Sequence, residues 1–65
     1  MDGTIRANIK IGAPVDIVLK KDQASSIVTR GHVKRILTKS PTHPHGIKVM
    51  LVEGDMVGRV KKIVD

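Results

Sequence analysis

The clearest pattern in this chain is a strict alternation of side chains in residues 14–20, PVDIVLK. Val15, Ile17 and Leu19 fall on one face of an extended segment, and Asp16, Val18 and Lys20 fall on the other. A period of two residues with one apolar face is typical of a strand that is buried on one side. The sequence therefore predicts a first strand here, followed by a polar connection over residues 21–26.

Three further strands follow from the same kind of signal. Residues 27–37 are rich in β-branched side chains, residues 47–51 alternate between apolar and other side chains, and residues 56–64 again contain several valines. The turn signal Glu53-Gly54-Asp55 separates the last two segments. Residues 4–9 place two isoleucines four apart, which predicts one short helical turn before the first strand.

Two of these strands break strict alternation. Val33 and Ile36 are three apart in the second strand, and Val60 and Ile63 are three apart in the fourth. A β-bulge or a bend lets both members of such a pair point inward, and Gly31 marks a place where the second strand can bend. We therefore expect curved strands.

Composition favours an all-β fold with an aliphatic core. Seventeen of the 65 residues are Ile or Val, and the chain has no Phe, Tyr, Trp or Cys. β-Branched side chains pack well on a pleated sheet, and a chain this short has room for one core. Closing short strands into a barrel removes exposed edges, so we predict one all-β domain, residues 1–65, built as a barrel of four or five antiparallel strands. The predicted core is Val15, Ile17, Leu19, Val33, Ile36, Ile47, Val49, Leu51 and Val60.

Charge indicates the kind of partner. The formal net charge is +6, and residues 5–63 hold all twelve Lys and Arg against four carboxylates. Such an excess on a small surface favours a polyanionic partner, with a basic surface kept for solubility as the alternative. No apolar run exceeds four residues, so we expect no membrane span, and the absence of cysteine agrees with a cytoplasmic location.

Residues 38–46, TKSPTHPHG, form a segment that we name the Pro/His loop. Its two prolines restrict the backbone, and Gly46 permits a turn that other residues resist. This pattern fits a rigid connection into the next strand, and it also fits a loop stiffened so that His43 and His45 meet a ligand. A metal site would need His32 as a third ligand, without any cysteine or nearby carboxylate, so we predict none.

A resemblance to known proteins covers residues 5–63. The succession IxxGxxVDIVLKKDQ, TRGxVKxILTxSPxHPHGIKV and GRV resembles the YwbE-like family of small uncharacterised bacterial and archaeal proteins. The segment from Gly31 to Ile36 is more distantly similar to the KOW motif of ribosomal and transcription-elongation proteins. These resemblances imply an SH3-like barrel and, by fold analogy with KOW domains, binding to RNA or to a ribosome- or transcription-associated ribonucleoprotein.

We therefore expect a non-enzymatic, monomeric nucleic-acid-binding domain that prefers RNA to DNA. Without aromatic side chains for stacking, contacts should go mainly to phosphates, with low sequence specificity. The alternative is a protein–protein adapter barrel within a larger assembly. No thiol, close pair of carboxylates or Gly-rich phosphate loop indicates catalysis, and no cofactor is expected. The predicted contact residues are Lys20, Lys21, Arg30, His32, Lys34, Arg35, Lys39, His43, His45, Lys48 and Arg59.

Overall fold

The four segments predicted as strands are strands in the computed structural model, which describes residues 3–22 and 27–64. The strands are β1 (Pro14–Leu19), β2 (Thr29–Ile36), β3 (Lys48–Leu51) and β4 (Val57–Ile63). Neighbours pair antiparallel in the order β1-β2-β3-β4, and β4 pairs with β1 to close the barrel. The predicted all-β barrel is confirmed.

Among the described residues, one short 3₁₀ turn precedes β1, a second follows β1 and a third lies between β3 and β4. The predicted helical turn in residues 4–9 is the turn Arg6–Asn8, and Glu53–Asp55 turns the chain between β3 and β4. The predicted connection after β1 begins with the turn Lys20–Asp22, and its residues 23–26 lie outside the described part of the chain. Within the described ranges, no helix is long and apolar enough to cross a membrane.

Register shifts occur in both strands whose apolar positions break alternation. The pairing of β2 with β3 shifts between Val33 and Arg35. In the pairing of β4 with β1, Val60 lies opposite Ile17, but Lys62 lies opposite Asp16, so the shift accommodates one extra residue of β4. These irregularities let apolar residues three apart point inward, as predicted, although the β2 shift lies beyond Gly31.

The core is mostly the predicted one. Seven side chains of the predicted core are almost completely buried: Val15, Ile17, Val33, Ile47, Val49, Leu51 and Val60. Leu19 and Ile36 are only partly buried, since each is the last residue of its strand, while Ile9 and Ile63 complete the cluster. The expectation of a strand buried on one face only is wrong for β1: Asp16 and Val18, on the face opposite the core, are also buried, with the Arg30 side chain on Asp16 and Arg59 paired beside Val18.

Candidate nucleic-acid interface

Three predicted contact residues on the outer face of β2 are paired with carboxylates. Arg30, His32 and Lys34 alternate with the buried Gly31 and Val33, so their side chains point outward. The contacts are Arg30 Nε to Asp16 Oδ1 at 2.8 Å, His32 Nδ1 to Glu53 Oε2 at 2.7 Å, and Lys34 Nζ to Asp55 Oδ1 at 2.7 Å. Nearby carboxylates therefore compensate the basic side chains of this face.

The turn after β3 places Glu53 against β2. Besides its contact with the imidazole, the carboxylate accepts a hydrogen bond from the backbone N–H of His32, with 2.8 Å between N and Oε1. The hydrogen bonds from the His32 ring and backbone lower the pKa of Glu53 from its ordinary value of 4.5 to about 2. A hydrogen bond from Arg30 similarly lowers the pKa of Asp16. Both carboxylates are thus held in the charged form.

Acid should remove the contribution of Glu53 to stability. Because its pKa is lower in the folded protein than in the unfolded chain, this stabilisation is complete above pH 4.5 and is lost as the pH falls toward 2. We expect Glu53→Gln to lower the midpoint of thermal unfolding at neutral pH, with the difference from the native protein narrowing below about pH 4.5. Thermal melts followed by circular dichroism at several pH values test this, and a constant difference would contradict it.

A shallow depression, which we name the basic groove, crosses the outer face of β1, β4 and β3. It has a volume of about 370 Å³ and is lined by Val18, Lys20, Lys48, Val57, Gly58 and Arg59. The strand register explains this grouping, because Arg59 on the central strand pairs with Val18 on one side and with Lys48 on the other. Three predicted contact residues, distant in sequence, thereby line one site.

The cations of the basic groove have no carboxylate partner among the described residues. Lys20 and Lys48 are exposed, and neither makes an ion pair within this part of the chain. Arg59 is half-buried, and its Nη1 donates to the carbonyl oxygen of Gly46 at 3.2 Å, which orients the guanidinium without neutralising it. Positive charge at this groove is therefore available to an anionic ligand.

The floor of the basic groove was not identified from the sequence. Val18 is only 6% exposed although it lies outside the main core cluster, and Val57 lies beside Met50 in the register. A side chain at Gly58 would place its Cβ 2.5 Å from the carbonyl oxygen of Val18, so glycine here lets β4 approach β1 closely. The available signal was an apolar residue, Val18, on the otherwise polar side of β1.

The Pro/His loop borders the basic groove and is held by the N-terminal segment. His43 N donates to the Thr4 oxygen at 2.9 Å, and Arg6 N donates to the Pro41 oxygen at 2.8 Å. On the strand side, Lys48 N donates to Thr38 Oγ1 at 2.7 Å. The loop is therefore tied to the barrel at several points, as a rigid connection requires.

The two loop histidines lie close together but in different surroundings. Their ring centroids are 5.8 Å apart, and His43 Nδ1 accepts a hydrogen bond from the backbone N–H of His45 at 3.1 Å. Burial, the neighbouring Arg59 guanidinium and His45 lower the pKa of His43 below its ordinary value of 6.5. His43 is thus a neutral hydrogen-bonding group at pH 7, next to the positive charges of Arg59 and Lys48.

Comparison with known proteins assigns the family. The model of the family described as "Uncharacterized conserved protein (DUF2196)" matches residues 2–63. The chain belongs to this family. It is also similar to "Uncharacterized protein YwbE" of Bacillus subtilis strain 168, with 56% identity over 64 residues that cover 98% of this chain and 97% of the relative. No solved structure matches the chain. The predicted membership of a YwbE-like family is confirmed, and the KOW-like character remains a prediction.

In this DUF2196 protein the remaining predicted contact residues are spread around the barrel. Lys21 and Lys39 are exposed in the connections, and Arg35 is exposed on β2 opposite Met50 of β3. His32 is paired with Glu53 on the β2 face, apart from the two loop histidines, and the described residues contain no group of three or more potential metal ligands. The structure therefore brings together Lys20, Lys48 and Arg59 and leaves Arg30, His32 and Lys34 on a separate surface, where each is paired with a carboxylate.

Proposed function

We propose that this protein is a non-enzymatic nucleic-acid-binding domain whose basic groove contacts the phosphate backbone. The observation that supports this most is the convergence of Lys20, Lys48 and Arg59 on one groove that no carboxylate of the described residues lines. Phosphate oxygens are suitable acceptors for these three side chains, because Lys provides a mobile point charge and Arg provides a planar fork of donors. The Pro/His loop supplies the neutral imidazole of His43 at the same end.

The distribution of carboxylates supports the choice of the basic groove as the contact surface. Between residues 5 and 63 only four carboxylates oppose twelve Lys and Arg. Three of them, Asp16, Glu53 and Asp55, contact side chains of β2. These carboxylates therefore offset the positive charge of basic side chains at β2. The excess positive charge lies elsewhere on the barrel, where it attracts a polyanion.

RNA is the favoured nucleic acid. The similarity of the Gly31–Ile36 segment to the KOW motif of ribosomal and transcription-elongation proteins supports RNA or a ribonucleoprotein in the cytoplasm, by analogy of fold. The chain contains no Phe, Tyr or Trp that could read bases by stacking. Phosphate contacts position a protein without selecting a sequence, so we expect weak sequence preference and a steep dependence of affinity on salt.

Neutralising one lysine of the basic groove tests the proposal. We expect Lys48→Gln to weaken RNA binding roughly three- to tenfold at about 50 mM salt and to reduce the slope of log affinity against log salt by about 0.7, the value for one lost contact to a single strand. The cause is the loss of one phosphate contact and of the counterion that it releases. Fluorescence anisotropy titrations with a labelled RNA at several salt concentrations measure both quantities.

Lys10→Gln is the matched control, since it also removes one positive charge from an exposed lysine. Lys10 does not line the groove, and it precedes a turn in which Gly12 N donates to the Val33 oxygen of β2 at 2.7 Å. We expect Lys10→Gln to change affinity by less than about twofold, because a distant charge is largely screened. Equal losses for the two variants would mean that net charge alone binds RNA. No binding of the native protein to RNA or DNA at low salt would overturn the proposal and favour the protein adapter.

A further inference from the structure

We infer that the basic groove accepts a single unpaired nucleotide, with its base on the apolar floor and its phosphate among the cations. This inference rests on the proposed function and narrows its ligand to single-stranded nucleic acid. It follows from three properties of the groove: the presence of both charged and apolar side chains in its lining, its size, and the way in which Arg59 is held.

Charged and apolar side chains lie side by side in the groove, in two rows. One row crosses the sheet as Val18, Arg59 and Lys48, which are paired neighbours on β1, β4 and β3. The other contains Val57 and its partner Met50, and Lys20, the first residue after β1, lines the same depression. Arg59 therefore has an apolar neighbour, Val18, about one strand spacing away, roughly 4.8 Å. A nucleotide joins an anion to a flat apolar ring in the same way.

The size of the groove fits one nucleotide better than a helix. Its 370 Å³ lie near the lower end of the range for small-molecule sites, which is roughly 300 to 1,000 Å³. A duplex keeps its bases stacked inside and presents only backbone, so it would leave the partly exposed Val57 on the floor in contact with water. A single strand can turn one base onto this floor, and the buried apolar area then favours binding.

Arg59 is held in a way that suits contact with a base as well as a phosphate. Its Nη1 donates to the Gly46 oxygen, and its side chain is half-buried between Val18 and Lys48. Since one edge of the guanidinium is tied to the Pro/His loop, the remaining donors and the planar face are available to a ligand. Guanidinium faces stack on aromatic rings, which partly replaces the missing aromatic side chains.

A tryptophan placed on the groove floor tests this inference directly. The native chain contains no Trp, so Val57→Trp provides a single fluorophore at the proposed base position. We expect single-stranded RNA to quench this fluorescence and to bind Val57→Trp at least about fivefold more tightly than the native protein, because base–aromatic stacking favours binding. Duplex RNA of the same sequence should do neither. Val52→Trp is the control, since Val52 is 58% exposed and does not line the groove.

A second variant removes apolar character without adding bulk. Val57→Thr keeps the β-branched shape and should weaken single-strand binding about two- to threefold while duplex binding stays unchanged. Circular dichroism of each variant verifies that it is folded. If RNA binds but the native protein prefers duplex or does not discriminate, or if Val57→Trp responds like Val52→Trp, the single-nucleotide site is overturned while the proposed function stands. If no nucleic acid binds at low salt, both fail.

Discussion

Replacing Gly46 by alanine should destabilise this protein by about 3 kcal/mol or more, a large part of the roughly 3 to 10 kcal/mol expected for a domain of this length. Gly46 has a φ of 101°, a backbone conformation that L-residues with a side chain rarely adopt. A Cβ at this position would also overlap the carbonyl oxygen of Val60. That part of β4 cannot move freely, because Val60 N donates to the Ile47 oxygen at 2.9 Å and its side chain is in the core.

Gly12→Ala is the matched control for this prediction. Gly12 also has a positive φ, 86°, but no atom lies within 4 Å of the position that a Cβ would occupy. The free energy of unfolding of this variant should fall only by the cost of the backbone conformation, about 1 to 2 kcal/mol. Urea unfolding followed by circular dichroism measures both losses. Equal losses would show that steric contact between the Pro/His loop and β4 contributes nothing.

The second large effect is expected in the core. Leu51 is completely buried, and Leu51→Ala should reduce the free energy of unfolding by about 2 to 5 kcal/mol, because it removes apolar contacts and leaves a cavity. The next residue, Val52, is 58% exposed, so Val52→Ala should change stability by less than about 0.5 kcal/mol. The same urea titrations compare the two. A similar loss at both positions would mean that the buried and exposed side chains at the end of β3 and the start of the following turn are assigned incorrectly.

The strands and most of the core could be predicted from local patterns. Alternation in residues 14–20 and 47–51 marks β1 and β3, since successive side chains of a strand point to opposite faces. The apolar pairs three apart correctly predicted irregular register in β2 and β4. The same logic failed for Val18 and Asp16, because alternation alone cannot tell how completely neighbouring strands cover the outer face of a strand in a closed barrel.

The candidate interface could be predicted only in part. The sequence identified a basic protein and the eleven residues that supply its candidate contacts, but it assigned them equal weight. Ion pairing distinguishes among them, and the partners are far apart in the chain: Arg30 is 14 residues from Asp16, and His32 is 21 residues from Glu53. No local pattern indicates such pairs, since they depend on which strands become neighbours and on where the turn after β3 lies.

The sequence by itself therefore determined the fold class, the family and the excess of positive charge, because side-chain period, β-branched composition and residue counts are local or additive properties. Only the tertiary structure decided where that charge is available. Closure of the barrel places Arg59 between Val18 and Lys48, and the turn after β3 brings Glu53 and Asp55 against β2. Electrostatic interactions depend on distance in space. The same set of charged residues therefore forms both a basic groove without carboxylates and a face of β2 on which the basic side chains are paired.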